Sequence, residues 1–138
     1  MSRRDVFHDA VRRALEKEGW PVTHDSYSLA FGERTLLVDL GAEAPLAAEK
    51  EGRKIAVEVK SFIGKSEVVE FEKAIGQFIL YDVLIEEVEP DRVLLLAVPE
   101  DVWVGLLSKS QCARVIERCR LRFVVYDPDK EEILLWKD

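Results

Sequence analysis

One stretch of the chain, residues 54–98, constrains the fold more than any other. Lys54 to Phe62 has the composition of a strand, and residues 67–87 carry apolar side chains at helical spacing. The predicted apolar side of this helix consists of Val68, Phe71, Ile75, Phe78, Ile79 and Leu84. Val93 to Val98 is then an uninterrupted apolar run, which is typical of a strand buried on both faces of a sheet. The sequence therefore predicts an α/β (mixed α+β) fold with a central mixed β-sheet flanked by helices.

Weaker signals place the other elements around this sheet. Ser2 and Asp5 form a capping-box pattern before an amphipathic helix, which Gly19 and Pro21 end. Short apolar runs predict strands, and turn residues predict hairpins between two pairs of them. The predicted strands are 26–31, 35–40, 46–50, 54–62, 121–126 and 131–136, and residues 110–119 form a further predicted helix.

Length and composition narrow the class of protein. The chain has 138 residues, of which 48% are hydrophobic and 34% charged; this predicts one globular domain, residues 1–138. No apolar run approaches the 20 or so residues that span a bilayer. Cys112 and Cys119 match no disulfide or metal framework, and their spacing places both on one side of a helix. We therefore expect a cytoplasmic protein without membrane contact.

The net charge of -7 argues against nucleic acid as a partner, because phosphate binding depends on Lys and Arg. The distribution of charge weakens that argument. Residues 66–100 carry nine acidic and two basic side chains, whereas residues 39–65 carry five of each. The acidic excess lies in one stretch, so a neutral or basic working face elsewhere remains open.

The segment Ile55 to Ser61 holds the strongest chemical candidate. Alternate residues of a strand share a face, so Glu58 and Lys60 project side by side. A carboxylate can hold a hard divalent cation, and the lysine can orient an attacking water or balance charge in phosphodiester hydrolysis. An exposed Glu–Lys pair over an apolar inner face is the plain structural alternative, and spacing alone favours that alternative.

A magnesium site needs a second carboxylate, and Asp39 follows the run Thr35 to Val38 at the predicted end of a strand. Glu43 and Glu49 lie in the same interval and are rival ligands. Gln77 on the long helix becomes a site residue only if that helix packs beside the Glu58 strand. Motifs for phosphate-binding loops, dinucleotides and serine or cysteine nucleophiles do not occur in the sequence.

Asp39, Glu58-x-Lys60 and Gln77 together resemble the PD-(D/E)xK nuclease superfamily, whose core is restriction-endonuclease-like. Val38 stands where that superfamily usually has proline before the aspartate. More closely, residues 3–136 are similar to the XisH family, the fdxN element excision controlling factors of cyanobacteria. The stretches that carry this resemblance are 5–8, 19–20, 38–43, 47–50, 55–62, 76–78, 89–93, 97–99 and 125–128.

The resemblance implies an endonuclease-like protein that supports programmed excision of a DNA element during heterocyst development, with a companion controlling factor, XisI. It implies Mg²⁺, or Mn²⁺, held by Asp39 and Glu58, with Glu43 as an additional ligand. Lys60 would assist the water and Gln77 would steady the site. The partners implied are DNA and XisI, and a homodimer is an open alternative.

Two functions follow as hypotheses. One is a metal-dependent DNA endonuclease or nickase, which Glu58→Ala or Lys60→Ala would abolish. The other is a non-catalytic factor that uses the same fold to bind DNA or the companion protein. The arginines near the C-terminus could contact phosphate, although they could equally serve the end of a helix; they are Arg114, Arg118, Arg120 and Arg122.

Overall fold

The structure of the protein is a computed structural model, and it describes residues 6–32, 34–35 and 45–138. Helices of 3 to 22 residues and short strands make up the fold. The elements are α1 (His8–Lys17), β1 (Val22–His24), β2 (Ala30–Phe31), β3 (Arg34–Thr35), β4 (Leu46–Lys50), β5 (Arg53–Val59), α2 (Glu67–Val88), β6 (Arg92–Pro99), α3 (Glu100–Val102), a π-helical segment (Trp103–Leu107), α4 (Ser110–Cys119), β7 (Phe123–Asp127) and β8 (Glu132–Lys137).

The main sheet is mixed, with strand order β1-β4-β5-β6-β7-β8. Strands β5, β6 and β7 run parallel in its centre, and antiparallel strands pair on either side of them. Strands β2 and β3 form a separate antiparallel pair. The predicted α/β class, the mixed sheet and the C-terminal hairpin, β7 with β8, are confirmed.

Helices cover both faces of this sheet, and β5 shows how its sequence divides them. Ile55, Val57 and Val59 pack in one apolar core with Val11 and Leu15 of α1. Ala56 faces the other way, into a core whose members also include residues of α2 and α4. The alternation predicted for β5 is therefore confirmed, and Glu58 belongs to the α2 side of the sheet.

Helix α2 buries a narrower stripe than its sequence suggests. The buried residues recur every three or four positions, as expected for one face of a helix; they are Phe71, Ala74, Phe78, Tyr81 and Ile85. Val68 and Ile79, which the sequence assigns to the apolar side, are 65% and 46% exposed. That part of the prediction is wrong, because apolar residues occupy most of the helix circumference and periodicity alone does not select a side.

A two-residue turn joins β4 to β5. Lys50 pairs with Arg53, and the two residues between them, Glu51 and Gly52, have φ of 50° and 80°. Two successive positive φ values match the twist of a hairpin, and glycine adopts such a value without steric cost. The predicted hairpin is confirmed, and its turn fixes which residues of β4 and β5 lie opposite each other.

Three further predictions concern the cysteines, a membrane-spanning helix and the N-terminal capping box. Cys112 and Cys119 are free, half-buried and packed against the α2-side core, as predicted. Within the described ranges, no helix has both the length and the apolarity required to cross a membrane. The capping box of Ser2 and Asp5 lies outside the described residues.

The amino ends of β5 and β6 carry a partly buried polar network around Arg92, which is itself buried. Its guanidinium donates to Ile55 O at 2.9 Å and to Glu89 Oε1 at 3.0 Å, and it stacks 4.9 Å from the ring centre of Tyr27. The Tyr27 hydroxyl also donates to Glu89, and Lys54 Nζ lies 3.5 Å from Glu89 Oε2. Hydrogen bonds from Arg92 and then Tyr27 lower the pKa of Glu89 to about 2. We call these residues the amino-end network.

Candidate active site

Glu58 and Lys60 lie at the carboxyl end of β5, on the α2 side of the sheet. Glu58 is 1% exposed, and the Lys60 ammonium lies 3.6 Å from its Oε1. The side chain of Lys60 remains 18% exposed. A buried carboxylate requires a compensating charge, and here the cation that supplies it also reaches solvent. The exposed-pair alternative is wrong for Glu58, because only the lysine meets water.

The backbone around this pair is held on both sides. Lys60 N donates to Ala97 O at 2.9 Å, which extends the pairing of β5 with β6 past the end of the strand. Ser61 is buried, and Phe62 has φ of 58°, a left-handed conformation that is uncommon for a bulky residue. The bond to β6 therefore holds the backbone at Lys60, and the chain leaves the strand conformation at Phe62.

Helix α2 packs over the same face of the sheet as Glu58, chiefly against β6, the strand next to β5, so Gln77 meets its condition through this shared face. Burial, and then the charge of Glu58, raises the pKa of Tyr81 on α2. Gln77 precedes Tyr81 by one helical turn, so both lie on the same side of α2. The Oε1 of Gln77 is buried without a hydrogen-bond partner among the described residues.

Helical spacing places Tyr81 on one stripe with Gln77, opposite much of the apolar face of α2, but the structure buries Tyr81. Its burial follows from the rotation of α2 about its axis, which helical spacing alone does not determine. A buried amide oxygen without a partner costs about 1–3 kcal/mol. The unpartnered oxygen of Gln77 is therefore a candidate contact for a ligand of the Glu58–Lys60 site.

The other predicted carboxylates divide into two cases. Asp39 and Glu43 lie outside the described residues, so their roles stay predictions. Glu49 pairs with Lys54 next to the hairpin turn. Lys54 precedes Glu58 by four residues on β5, so Glu49 lies about 13 Å from Glu58 along the sheet. Glu49 is therefore not a ligand at this site.

Glu58 and Gln77 offer oxygen atoms, the type of ligand that a hard divalent cation prefers. Two such residues are too few to complete a metal site. Within the described part of the chain, no group of three His, Cys, Asp or Glu side chains could hold a metal ion. A complete site thus depends on carboxylates from elsewhere, with Asp39 and Glu43 as the predicted sources.

A groove of about 520 Å³ lies at the carboxyl ends of the three parallel strands and includes Ser61 and Phe62, next to Lys60. Ligands of α/β sheets commonly bind at this edge. Its wall is acidic, with carboxylates at Glu67, Glu100, Asp101, Asp127 and Asp129. A phosphate entering this groove would need cations to offset that charge.

A second polar cluster lies on α1. His8 is buried, and its Nε2 lies 2.8 Å from Asp25 Oδ1, while Arg12 donates to Asp25 Oδ2 at 2.8 Å. His8 is therefore an interior side chain with a carboxylate partner, not a surface histidine. The cluster ties α1 to the segment after β1.

These features define an α/β protein with a buried acid–base pair at the carboxyl edge of a mixed sheet, and known proteins share this architecture. The crystal structure of an XisH family protein from Nostoc punctiforme PCC 73102 is similar, with a TM-score of 0.88, 38% identity and coverage of 97% of this chain and 100% of that one. That of an fdxN element excision controlling factor protein from Anabaena variabilis is similar too, with a TM-score of 0.88, 40% identity and coverage of 98% and 100%.

The family comparison agrees with these structures. The model of the XisH protein family matches residues 1–134. None of the curated proteins compared with the chain matches it. The chain belongs to the XisH family, the family of excision controlling factors, as its sequence motifs indicated.

Proposed function

We propose that this chain is an excision controlling factor that acts on DNA in the cytoplasm by metal-dependent phosphodiester hydrolysis, with a PD-(D/E)xK endonuclease-like site. One observation carries the proposal: Glu58 is buried at the end of a central strand, and its compensating cation, Lys60, reaches solvent 3.6 Å away. Because the Lys60 ammonium reaches solvent, a phosphate can approach the pair from outside.

Each residue has a distinct role in this proposal. Glu58 and Asp39 would hold Mg²⁺ or Mn²⁺, with Glu43 as an additional ligand, and the bound cation would supply charge stabilisation and an activated water. Lys60 would orient the attacking water and offset charge that develops on the phosphate. Gln77 would accept a hydrogen bond from a water through its buried Oε1.

The test is nicking of supercoiled plasmid DNA by the purified protein with Mg²⁺ or Mn²⁺. Glu58→Gln and Lys60→Met should each reduce the rate at least about 100-fold, as expected when a group that stabilises the transition state is lost. Glu49→Gln is the matched control, because the same change on β4 lies away from the site, and its rate should stay within about twofold.

Far-UV circular dichroism and urea unfolding of each variant separate a chemical effect from loss of the fold. Cleavage by the Glu58→Gln and Lys60→Met variants at the rate of the unmodified protein would remove both residues from the mechanism. Equal losses in all three variants would point to general destabilisation instead.

A non-catalytic regulator is the second candidate, and the acidic wall of the groove favours it. Five carboxylates at the edge where a substrate would bind repel DNA and suit a basic protein surface. The companion factor XisI is the proposed partner. Size-exclusion chromatography with light scattering should then show a complex with purified XisI that Glu58→Gln leaves intact, and the same run shows whether the protein alone is a homodimer. Metal-dependent nicking would contradict the non-catalytic role.

A further inference from the structure

Helix α4 and its flanks carry charge of the opposite sign to the rest of the chain. Residues 109–122 hold five basic side chains and one acidic side chain, although the whole chain has a net charge of -7. Arg122 is used internally, since its Nη2 lies 2.8 Å from Asp82 Oδ1 and its Nε donates to Leu94 O. The basic side chains of this segment therefore require a separate explanation from the acidic charge of the whole chain.

The packing of α4 explains which of these side chains face outward. Ile116 is buried, and Cys112, Val115 and Cys119 pack around it against the α2-side core. Arg114 and Arg118, which are four residues apart, therefore share the opposite, exposed face. Arg120 ends the helix in a left-handed conformation, φ 54°, and is exposed as well. We call Arg114, Arg118 and Arg120 the arginine ridge.

The ridge is not neutralised within the part of the chain that the structure describes. Its three guanidinium groups have no ion pair or side-chain hydrogen bond to any described residue, although Glu117 lies on the same helix. Guanidinium groups stay charged at every physiological pH and match phosphate oxygens in a two-pronged geometry. The ridge is therefore free to bind an external anion.

Its dimensions and composition favour a nucleic-acid backbone over an acidic protein. Residues 114–120 span about 9 Å along the helix axis, and each DNA strand carries one phosphate per about 3.4 Å, so two or three phosphates lie within reach. None of the large exposed apolar residues belongs to α4, whereas the centre of a protein interface is usually apolar or aromatic.

We propose that the arginine ridge binds the phosphate backbone of duplex DNA, without reading base sequence. The inference rests on the proposed function for its choice of DNA. The ridge lies on the side of the sheet that Glu58 faces, because α4, α2 and Ala56 share one core. It thereby supplies the affinity that the acidic groove cannot.

The test is fluorescence anisotropy with a labelled duplex of about 20 base pairs in EDTA, from about 50 to 200 mM salt. The double variant R114Q/R118Q should bind about 10- to 100-fold more weakly at the lower salt concentration. The slope of log affinity against log salt should fall in magnitude by about 2, since each phosphate contact contributes about 0.9. The control R53Q/K65Q removes the same charge at exposed positions elsewhere and should change affinity less than about threefold.

Three results would overturn the proposal. The first is that the unmodified protein shows no measurable duplex binding at about 50 mM salt. The second is that the two double variants lose the same duplex affinity. The third is that R114Q/R118Q binds the duplex as tightly as the unmodified protein does. A loss confined to a labelled polyglutamate peptide, with duplex binding unchanged, would assign the ridge to an acidic protein instead. Unchanged urea midpoints confirm that each variant is folded.

The nicking assay distinguishes failure of this proposal from failure of the proposed function. Normal binding by R114Q/R118Q with abolished nicking by Glu58→Gln removes the ridge and leaves the catalytic site. Weak binding by R114Q/R118Q, in a protein that nicks with neither metal, supports the ridge and removes the nuclease.

Discussion

The two ends of β5 carry charged groups in different ways. At the amino end, Lys54 and Arg92 meet Glu89 and Tyr27, and the network supplies partners for each charge. At the carboxyl end, Glu58 is buried beside Lys60, which is 18% exposed, and the Oε1 of Gln77 has no partner among the described residues. Strand β5 thus runs from a network whose charged groups all have partners to a site that includes an unpartnered amide oxygen.

The difference indicates that one end of β5 serves stability and the other end serves function. A buried polar network with every group satisfied makes a core rigid and specific. Unsatisfied buried groups cost stability, and proteins tend to retain them where function requires them. We therefore expect substitutions at the amino end to change stability, and substitutions at the carboxyl end to change activity.

Arg92→Met tests the amino end and should have the largest effect on stability. It removes the hydrogen bonds to Glu89 and Ile55, and Ile55, whose carbonyl loses this donor, is buried. The free energy of unfolding should fall by about 2–3 kcal/mol, as expected when a buried acceptor loses a charged donor. Urea unfolding measures this loss.

Arg53→Met is the matched control for that experiment, because Arg53 begins β5 but is exposed and only stacks over Trp20, 5.6 Å from the ring centre. Its cost should stay below about 1 kcal/mol. If the two variants lose the same stability, the amino-end network does not hold the fold.

The low pKa of Glu89 makes the amino end sensitive to acid. Its pKa falls from 4.5 to about 2, so the stabilisation is complete above about pH 4.5 and is lost as the pH falls towards 2. Because the carboxylate is partly exposed, this stabilisation amounts to about 1–2 kcal/mol.

Urea unfolding of Glu89→Gln and the unmodified protein, compared from about pH 6 to pH 2, checks this expectation. The stability difference between them should shrink within that window. A difference that stays constant with pH would mean that ionisation of Glu89 contributes nothing.

Gln77→Leu should have the smallest effect on stability, in the opposite direction. It replaces an unpartnered buried oxygen with an apolar group of similar size, which is neutral or stabilising by about 1 kcal/mol. Nicking should fall nonetheless, if the amide holds a water. Lys73→Leu, one turn earlier and exposed, controls for the added apolar surface, and a loss above about 1 kcal/mol in Gln77→Leu alone would make the amide a structural group.

Much of the fold could be predicted because its signals are local. The alternation in β5, the Glu51–Gly52 turn and the apolar run of β6 each depend on residues close in sequence, and each is confirmed. The side of α2 that packs was not predictable, because Val68 and Ile79 are as apolar as the residues that are buried. Only contact with the sheet decides between them.

The candidate site shows the same limit. The shared face of Glu58 and Lys60 follows from a period of two, and the structure confirms it, whereas the catalytic roles and the ligand Asp39 stay predictions. The amino-end network had no sequence signal, because Tyr27 and Glu89 are 62 residues apart. Such a network arises only when distant elements meet.

The two-residue turn between β4 and β5 has a consequence for how this family can diverge. A shift of one residue in strand register reverses the faces of every side chain relative to the partner strand. Point substitutions on the surface of the hairpin are tolerable, but an insertion at Glu51 or Gly52 that shifted β5 by one residue against β4 and β6 would move Glu58 to the other face of the sheet. Length at this turn should therefore vary less among relatives than sequence does.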